Sequence, residues 1–198
     1  MLTVVIQAGG MSKRMGRDKA LLPFLGQTLI ERIIARINPI ADEILITTNQ
    51  PEHYQFLGIP LFTDREPGRG ALGGLYTALD AASHPLVGVI ACDMPFVNPL
   101  LLQAQKNMLV DSAYDAVIPR TDHGLEPFHA VYRKASCLEY SRQALQEGKW
   151  RVDAWFERAN VRILLPEEIQ LYDPQNLAFM NVNTPDELQQ VEQIARNL

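Results

Sequence analysis

Apolar positions along this chain alternate between two periods. Leu2–Ile6 is an apolar run and Leu86–Ala91 is continuously apolar, the mark of strands buried on both faces of a parallel sheet. Shorter runs at Glu43–Thr48, Ile59–Thr63, Asp115–Pro119, Phe128–Tyr132 and Val161–Leu165 predict further strands. Between them the spacing becomes helical. Leu29, Ile30, Ile33, Ile34 and Ile37 fall at i, i+1, i+4, i+5 and i+8, one apolar face of a helix that Thr28 can cap. Helices are also expected from Ala71 through Leu79, near Pro99–Met108, over Ala135–Gln146 with Gly148 as C-cap, and over Arg151–Ala159. The last helix starts at Thr184, with Pro185 at its first position and Glu187 completing a capping box. Leu21–Gln27 reads as a short apolar excursion ending in a turn, and Arg65–Gly70 and Asp122–Pro127 read as loops.

Strands alternating with helices predict a single-domain α/β protein, residues 1–198, with a mostly parallel sheet covered by helices on both faces. Ligands of such sheets sit at the carboxyl ends of the strands. That rule puts the glycine-rich segment after the first strand, Thr47, Asp64 and Asp93 along one rim. The chain shows no repeats, low-complexity segments or long linkers that would divide it.

Composition narrows the partners. With 47% apolar and 21% charged residues the chain is ordinary for a globular protein. A net charge of -5 argues against bulk nucleic-acid binding, which needs a basic face. It leaves room for a nucleotide, because cations concentrate locally. Cys92 and Cys137 are far apart without metal-type spacing, which points to a reducing compartment. No apolar run approaches the roughly 18 residues of a membrane span, and no basic-then-apolar leader opens the chain. A cytoplasmic location, without membrane contact, is expected.

The chemistry concentrates between Ala8 and Lys19. Gly9, Gly10 and Gly16 are interleaved with Lys13, Arg14, Arg17 and Lys19. Glycines let backbone N–H groups approach a ligand closely, and amides beside cations suit a polyphosphate. The spacing is neither that of a Walker loop nor Gly-x-Gly-x-x-Gly. Elsewhere the residues leave alternatives open. Asp93, ending a buried strand, either holds Mg²⁺ against substrate phosphates or caps a helix from Pro95 onward. Asp64 either touches a nucleotide or caps its own turn. Gly73 and Gly74 either admit a base against the backbone or allow close helix packing. Asn181 and Asn183, two apart on an extended segment, either bind a second substrate or lead into the Thr184 cap. The four histidines show no ligand spacing, and Cys92 lacks a positioned base.

Ala8-Gly9-Gly10-Met11-Ser12-Lys13-Arg14-Met15-Gly16-Arg17-Asp18-Lys19 resembles the signature of nucleotidyltransferases that activate a phosphorylated compound with a nucleoside triphosphate. Asp64 followed by Pro67-Gly68, then Ala71-Leu72-Gly73-Gly74, Cys92-Asp93-Met94-Pro95-Phe96, Glu126-Pro127-Phe128-His129-Ala130-Val131-Tyr132 and Phe179-Met180-Asn181-Val182-Asn183-Thr184-Pro185 follow the order found in molybdenum cofactor guanylyltransferases. The resemblance covers nearly the whole chain. It implies a Rossmann-like three-layer α/β/α sandwich of the nucleotide-diphospho-sugar transferase type, with a partly mixed sheet. It also implies transfer of GMP from GTP to the terminal phosphate of molybdenum-molybdopterin, with Mg²⁺ and with cofactor-delivery and molybdoenzyme maturation proteins as partners. By position, Gln7, Ala8, Gly9, Gly10, Lys19, Asp64, Gly73, Gly74 and Asp93 would bind GTP, and Asp93 the metal. Arg14 and Lys19 would hold the triphosphate, and Asn181 and Asn183 the pterin substrate. Gln7 stands where the family usually has Leu, and Thr47 where some relatives carry an Asn that touches the nucleotide. Cytidylyl transfer to another phosphorylated acceptor, or a GTP-binding scaffold without turnover, are the competing readings.

Overall fold

The computed structural model describes residues 1–8 and 18–198. Gly9, Gly10 and Arg14 therefore lie outside the described residues. In chain order the strands are β1 (Leu2–Gln7), β2 (Pro23–Phe24), β3 (Gln27–Thr28), β4 (Glu43–Thr47), β5 (Leu61–Phe62), β6 (Leu86–Ala91), β7 (Ala116–Thr121), β8 (Gly124–Leu125), β9 (His129–Arg133) and β10 (Val161–Leu164). The helices are α1 (Leu29–Ile37), α2 (Gly70–Ala81), α3 (Pro99–Leu109), α4 (Lys134–Gln146), α5 (Pro166–Ile169) and α6 (Pro185–Arg196).

The main sheet runs β10-β7-β9-β6-β1-β4-β5, with β8 on β7. β1 lies between β6 and β4 and is parallel to both. β9 is antiparallel to β6 and to β7, so the sheet is mixed at that point. Each face buries its own core. Leu2, Val4 and Ile6 of β1 pack with residues of α1, α3 and α6, while Val5 packs with residues of α2 and α4. This is the alternation a strand covered on both sides must show, and it yields three layers.

Local chemistry fixes the element ends. The Thr28 hydroxyl accepts from the Glu31 amide while the Glu31 carboxylate accepts from the Thr28 amide at 2.7 Å. Thr184 and Glu187 make the same reciprocal pair at the start of α6, as the sequence predicts. Gly148, at φ +75°, follows α4, and the Gly148 and Lys149 amides return to Leu145 and Ala144. That is a Schellman closure needing a residue in the left-handed region.

Three expectations are corrected. The strand expected over 59–63 shortens to Leu61–Phe62, because Pro60 has no N–H to offer the ladder and β5 is an edge. The segment 151–159 is not an α-helix: it turns around the buried Trp155 and holds only a 3₁₀ turn, Phe156–Arg158. One buried anchor does not make an apolar stripe. The excursion at 21–27 contains a hairpin of β2 and β3, whose central residues Leu25 and Gly26 both have positive φ, as a tight hairpin turn requires.

Candidate active site

The carboxyl ends of β1, β4, β5 and β6 open on one rim, and the segments leaving them carry the polar groups. Asp93 follows β6. The Asn98 side chain caps the next helix, accepting from the Leu100 and Leu101 amides at 2.9 and 3.1 Å. Capping is thus done five residues later, and the Asp93 carboxylate is left for other work. Its segment is held from three directions. Arg32 donates to the Pro95 carbonyl at 3.1 Å and Arg36 to the Val97 carbonyl at 2.8 Å. The Val182 amide donates to the Asp93 carbonyl at 2.9 Å, and the Cys92 amide donates to the Gln7 carbonyl. The Arg32 guanidinium also lies over the Phe24 and Phe96 rings, so α1 clamps the turn after Asp93.

Lys19, which follows the glycine-rich segment in the chain, reaches this carboxylate. Its Nζ stands 3.6 Å from Asp93 Oδ2 and 2.5 Å from Asn183 Oδ1. The first distance is an ion pair and too long for a hydrogen bond; the second is a short bond. Lys19 opens a 3₁₀ turn whose N-cap is Asp18, bonded to the Ala20 amide at 3.1 Å and to the buried Tyr54 hydroxyl at 2.5 Å. Tyr54 could not be foreseen, because a lone aromatic in a polar stretch carries no spacing signal. Burial raises the Asp93 pKa from the ordinary carboxylate value, and the Lys19 charge opposes that shift. Asn183 is itself pinned, since its amide donates to Glu187 Oε2 at 2.6 Å.

The structure thus brings Lys19, Asp93 and Asn183 together. Asn181 is exposed, one residue before the buried Val182. Asp64 stands apart on the rim and caps no turn: it accepts from Asn49 Nδ2 at 2.7 Å, and its amide donates to Asn49 Oδ1 at 3.2 Å. Asn49 is the exposed amide after β4 that the sequence analysis missed. Thr47 is buried, its carbonyl taken by the Ala8 amide at 2.8 Å. Ala8 is buried too, and that amide is used within the sheet. Gly73 sits where a Cβ would meet Arg69 Cβ at 2.9 Å and the Glu66 carbonyl at 3.0 Å, a packing role. Gly74 faces Gln7, whose Oε1 lies 3.1 Å from the position of a Cβ there.

Chemically, the cluster offers one half-buried carboxylate, one cation and one amide. Among the described residues no group of three or more His, Cys, Asp and Glu could hold a metal unaided. A single carboxylate fits Mg²⁺, which takes one or two protein carboxylates and completes its shell with substrate phosphates and water. Cys92 is unsuited to nucleophilic work, because burial raises its pKa far above neutrality. His129 is fully buried with its pKa lowered to about 4 by desolvation. Its Nε2 accepts from the Asn98 amide at 3.1 Å. No helix among the described residues is long and apolar enough to cross a membrane.

Known proteins resemble this chain over nearly its whole length. Residues 4–161 match the family described as MobA-like NTP transferase domain. A probable molybdenum cofactor guanylyltransferase of Pelotomaculum thermopropionicum is 34% identical over 98% of this chain and 94% of its own. One of Chloroflexus aggregans is 36% identical over 97% and 94%. The crystal structure of molybdopterin-guanine dinucleotide biosynthesis protein A from Archaeoglobus fulgidus superimposes with a TM-score of 0.85, at 27% identity over 99% of this chain and 100% of that one.

Proposed function

The chain belongs to the MobA-like NTP transferase family and is a nucleotidyltransferase of molybdenum cofactor biosynthesis; from that premise we propose that it transfers GMP from GTP to the terminal phosphate of molybdenum-molybdopterin, releasing pyrophosphate. The observation that carries the reading is the junction of Lys19, Asp93 and Asn183, where side chains from the glycine-rich segment, the β6 rim and the segment before α6 converge.

In the reaction an oxygen of the pterin-side phosphate attacks the α-phosphorus of GTP in line, and the bond to the bridging oxygen of pyrophosphate breaks. The attacking group is already largely an anion at neutral pH, since the second pKa of a phosphate monoester is about 6. A general base is not required. The barrier lies in bringing two polyanions together and in the charge growing on pyrophosphate. Lys19 meets the second need, exchanging the Asp93 carboxylate for phosphate oxygens when the triphosphate enters. Arg14, outside the described residues, is assigned to the same triphosphate. Asp93, ionised, would hold Mg²⁺, which when bound neutralises phosphate charge and orients the leaving group. Asn183, with Asn181, orients the acceptor. The Glu187 carboxylate fixes the Asn183 backbone for that task.

Pyrophosphate release with molybdenum-molybdopterin as acceptor and GTP, CTP, UTP or ATP as donor tests the reading. GTP is expected to be the preferred donor. A clear preference for CTP would overturn the assignment of donor.

A further inference from the structure

On the face of β1 away from the Lys19 cluster stands a side-chain amide whose nitrogen has no hydrogen-bond partner among the described residues. Gln7 lies two residues beyond Val5, so its side chain points to the α2 face, and there it lies against Gly74. Its Nε2 is buried and has no hydrogen-bond partner among the described residues. The backbone around it is already engaged: the Gln7 carbonyl accepts from the Cys92 amide and the Ala8 amide donates to the Thr47 carbonyl. What the tip of β1 still offers a ligand at this position is therefore the side chain. A buried amide without a partner costs stability that Leu or Ile would not. It persists where something else completes it.

The position says what. Gln7 pairs in register with Ala91, the last residue of β6, the Gln7 carbonyl accepts from the Cys92 amide, and Asp93 follows in the turn, so Gln7 and Asp93 stand at neighbouring strand ends. The tip of β1 is thus within a nucleoside's reach of phosphates held at Asp93 and Lys19. A neutral amide carries a donor and an acceptor side by side, which matches the edge of a neutral heterocycle. A phosphate would call for a cation instead.

We propose that Gln7 is a specificity-determining residue whose side-chain amide reads the hydrogen-bonding edge of the nucleobase, with the missing side chain of Gly74 making room for it. This rests on the nucleotidyltransferase reading above. The test measures binding of GTP, 2′-deoxy-GTP and inorganic tripolyphosphate to the wild-type protein and to Gln7→Leu, with no acceptor present. Leu is expected to weaken GTP about fivefold, to weaken 2′-deoxy-GTP by the same factor, and to leave tripolyphosphate unchanged. It is also expected to raise the melting temperature of the ligand-free protein, which a glutamine serving only the fold would not do. Gly74→Ala, whose Cβ drives the amide aside, is expected to reproduce the base-selective loss and serves if Gln7→Leu does not fold. Unchanged GTP affinity, or equal weakening of tripolyphosphate, would overturn the role. A penalty that disappears with 2′-deoxy-GTP would reassign Gln7 to the ribose and overturn base reading. Failure of the donor assay would instead strike the proposed function, because binding here is measured without transfer.

Discussion

Lys19 and Asp93 are an opposed pair in the free protein and separate partners of one ligand in the proposed reaction. That dual use makes them sensitive to substitution. Lys19→Ala is expected to lower kcat/KM for transfer about 100-fold, roughly 2.7 kcal/mol of barrier; a loss within threefold would remove Lys19 from the site. Asp93 adds a pH signature. Its pKa is raised by burial, while the proposed chemistry needs it ionised, so activity is lost as pH falls through that raised value. A cation on the carboxylate competes with the proton. The acid limb of a kcat/KM profile is therefore expected to move to lower pH as Mg²⁺ is increased, and a limb indifferent to Mg²⁺ would speak against metal on Asp93. At this scale Lys19 and Asp93 stood out in the sequence, a cation beside glycines and a carboxylate on a buried strand tip. The spacing of Asn183 left a binding and a capping role open, and only the family resemblance assigned it. Asn49 and Tyr54 did not stand out, since each gains its meaning from a residue distant in sequence: Asp64 in one case and Asp18 in the other.

Among the elements, α6 shows how a capping motif can serve a site. Glu187 closes the box with Thr184 and also accepts from the Asn183 amide at 2.6 Å. Glu187→Ala is expected to cost about 1 kcal/mol of stability, read from a urea midpoint, and to reduce transfer more than its stability loss explains, because Asn183 loses its anchor. If activity and stability fell together in proportion, the box would be structural only. The capping box and the apolar face of α1 could be read directly, since both are local patterns. The boundaries of β5 and the turn-rich course of 151–159 could not. They depend on an edge position and on Trp155, which packs against Tyr140 at 5.9 Å between ring centroids.

For the whole molecule, two cores on either side of one sheet hold the rim in place, and a buried histidine links that packing to pH. His129, on β9, is neutral in the folded state with its pKa lowered to about 4, against an unfolded value near 6.5. Between those values the unfolded chain binds the extra proton, so stability is full above about pH 6.5 and declines as pH falls toward 4. The contribution is of the order of 3 kcal/mol. Urea midpoints across this range are expected to fall in the wild type and to fall less steeply in His129→Leu; equal slopes would show that His129 does not govern the acid limb of stability. The mixed sheet itself was partly legible: alternation of strands and helices gave the layers, but the reversal at β9 leaves no mark in a five-residue apolar run.

The central claim is that the Lys19–Asp93–Asn183 junction is where nucleoside triphosphate and metal meet. The most direct measurement is a crystal structure of the protein with Mn²⁺ and a GTP analogue carrying a methylene bridge between the α- and β-phosphorus, read by anomalous scattering. The account predicts a metal peak about 2.1 Å from an Asp93 carboxylate oxygen, with Lys19 drawn from that carboxylate onto the phosphates. Metal and triphosphate bound elsewhere, with the Lys19–Asp93 pair still closed, would contradict it.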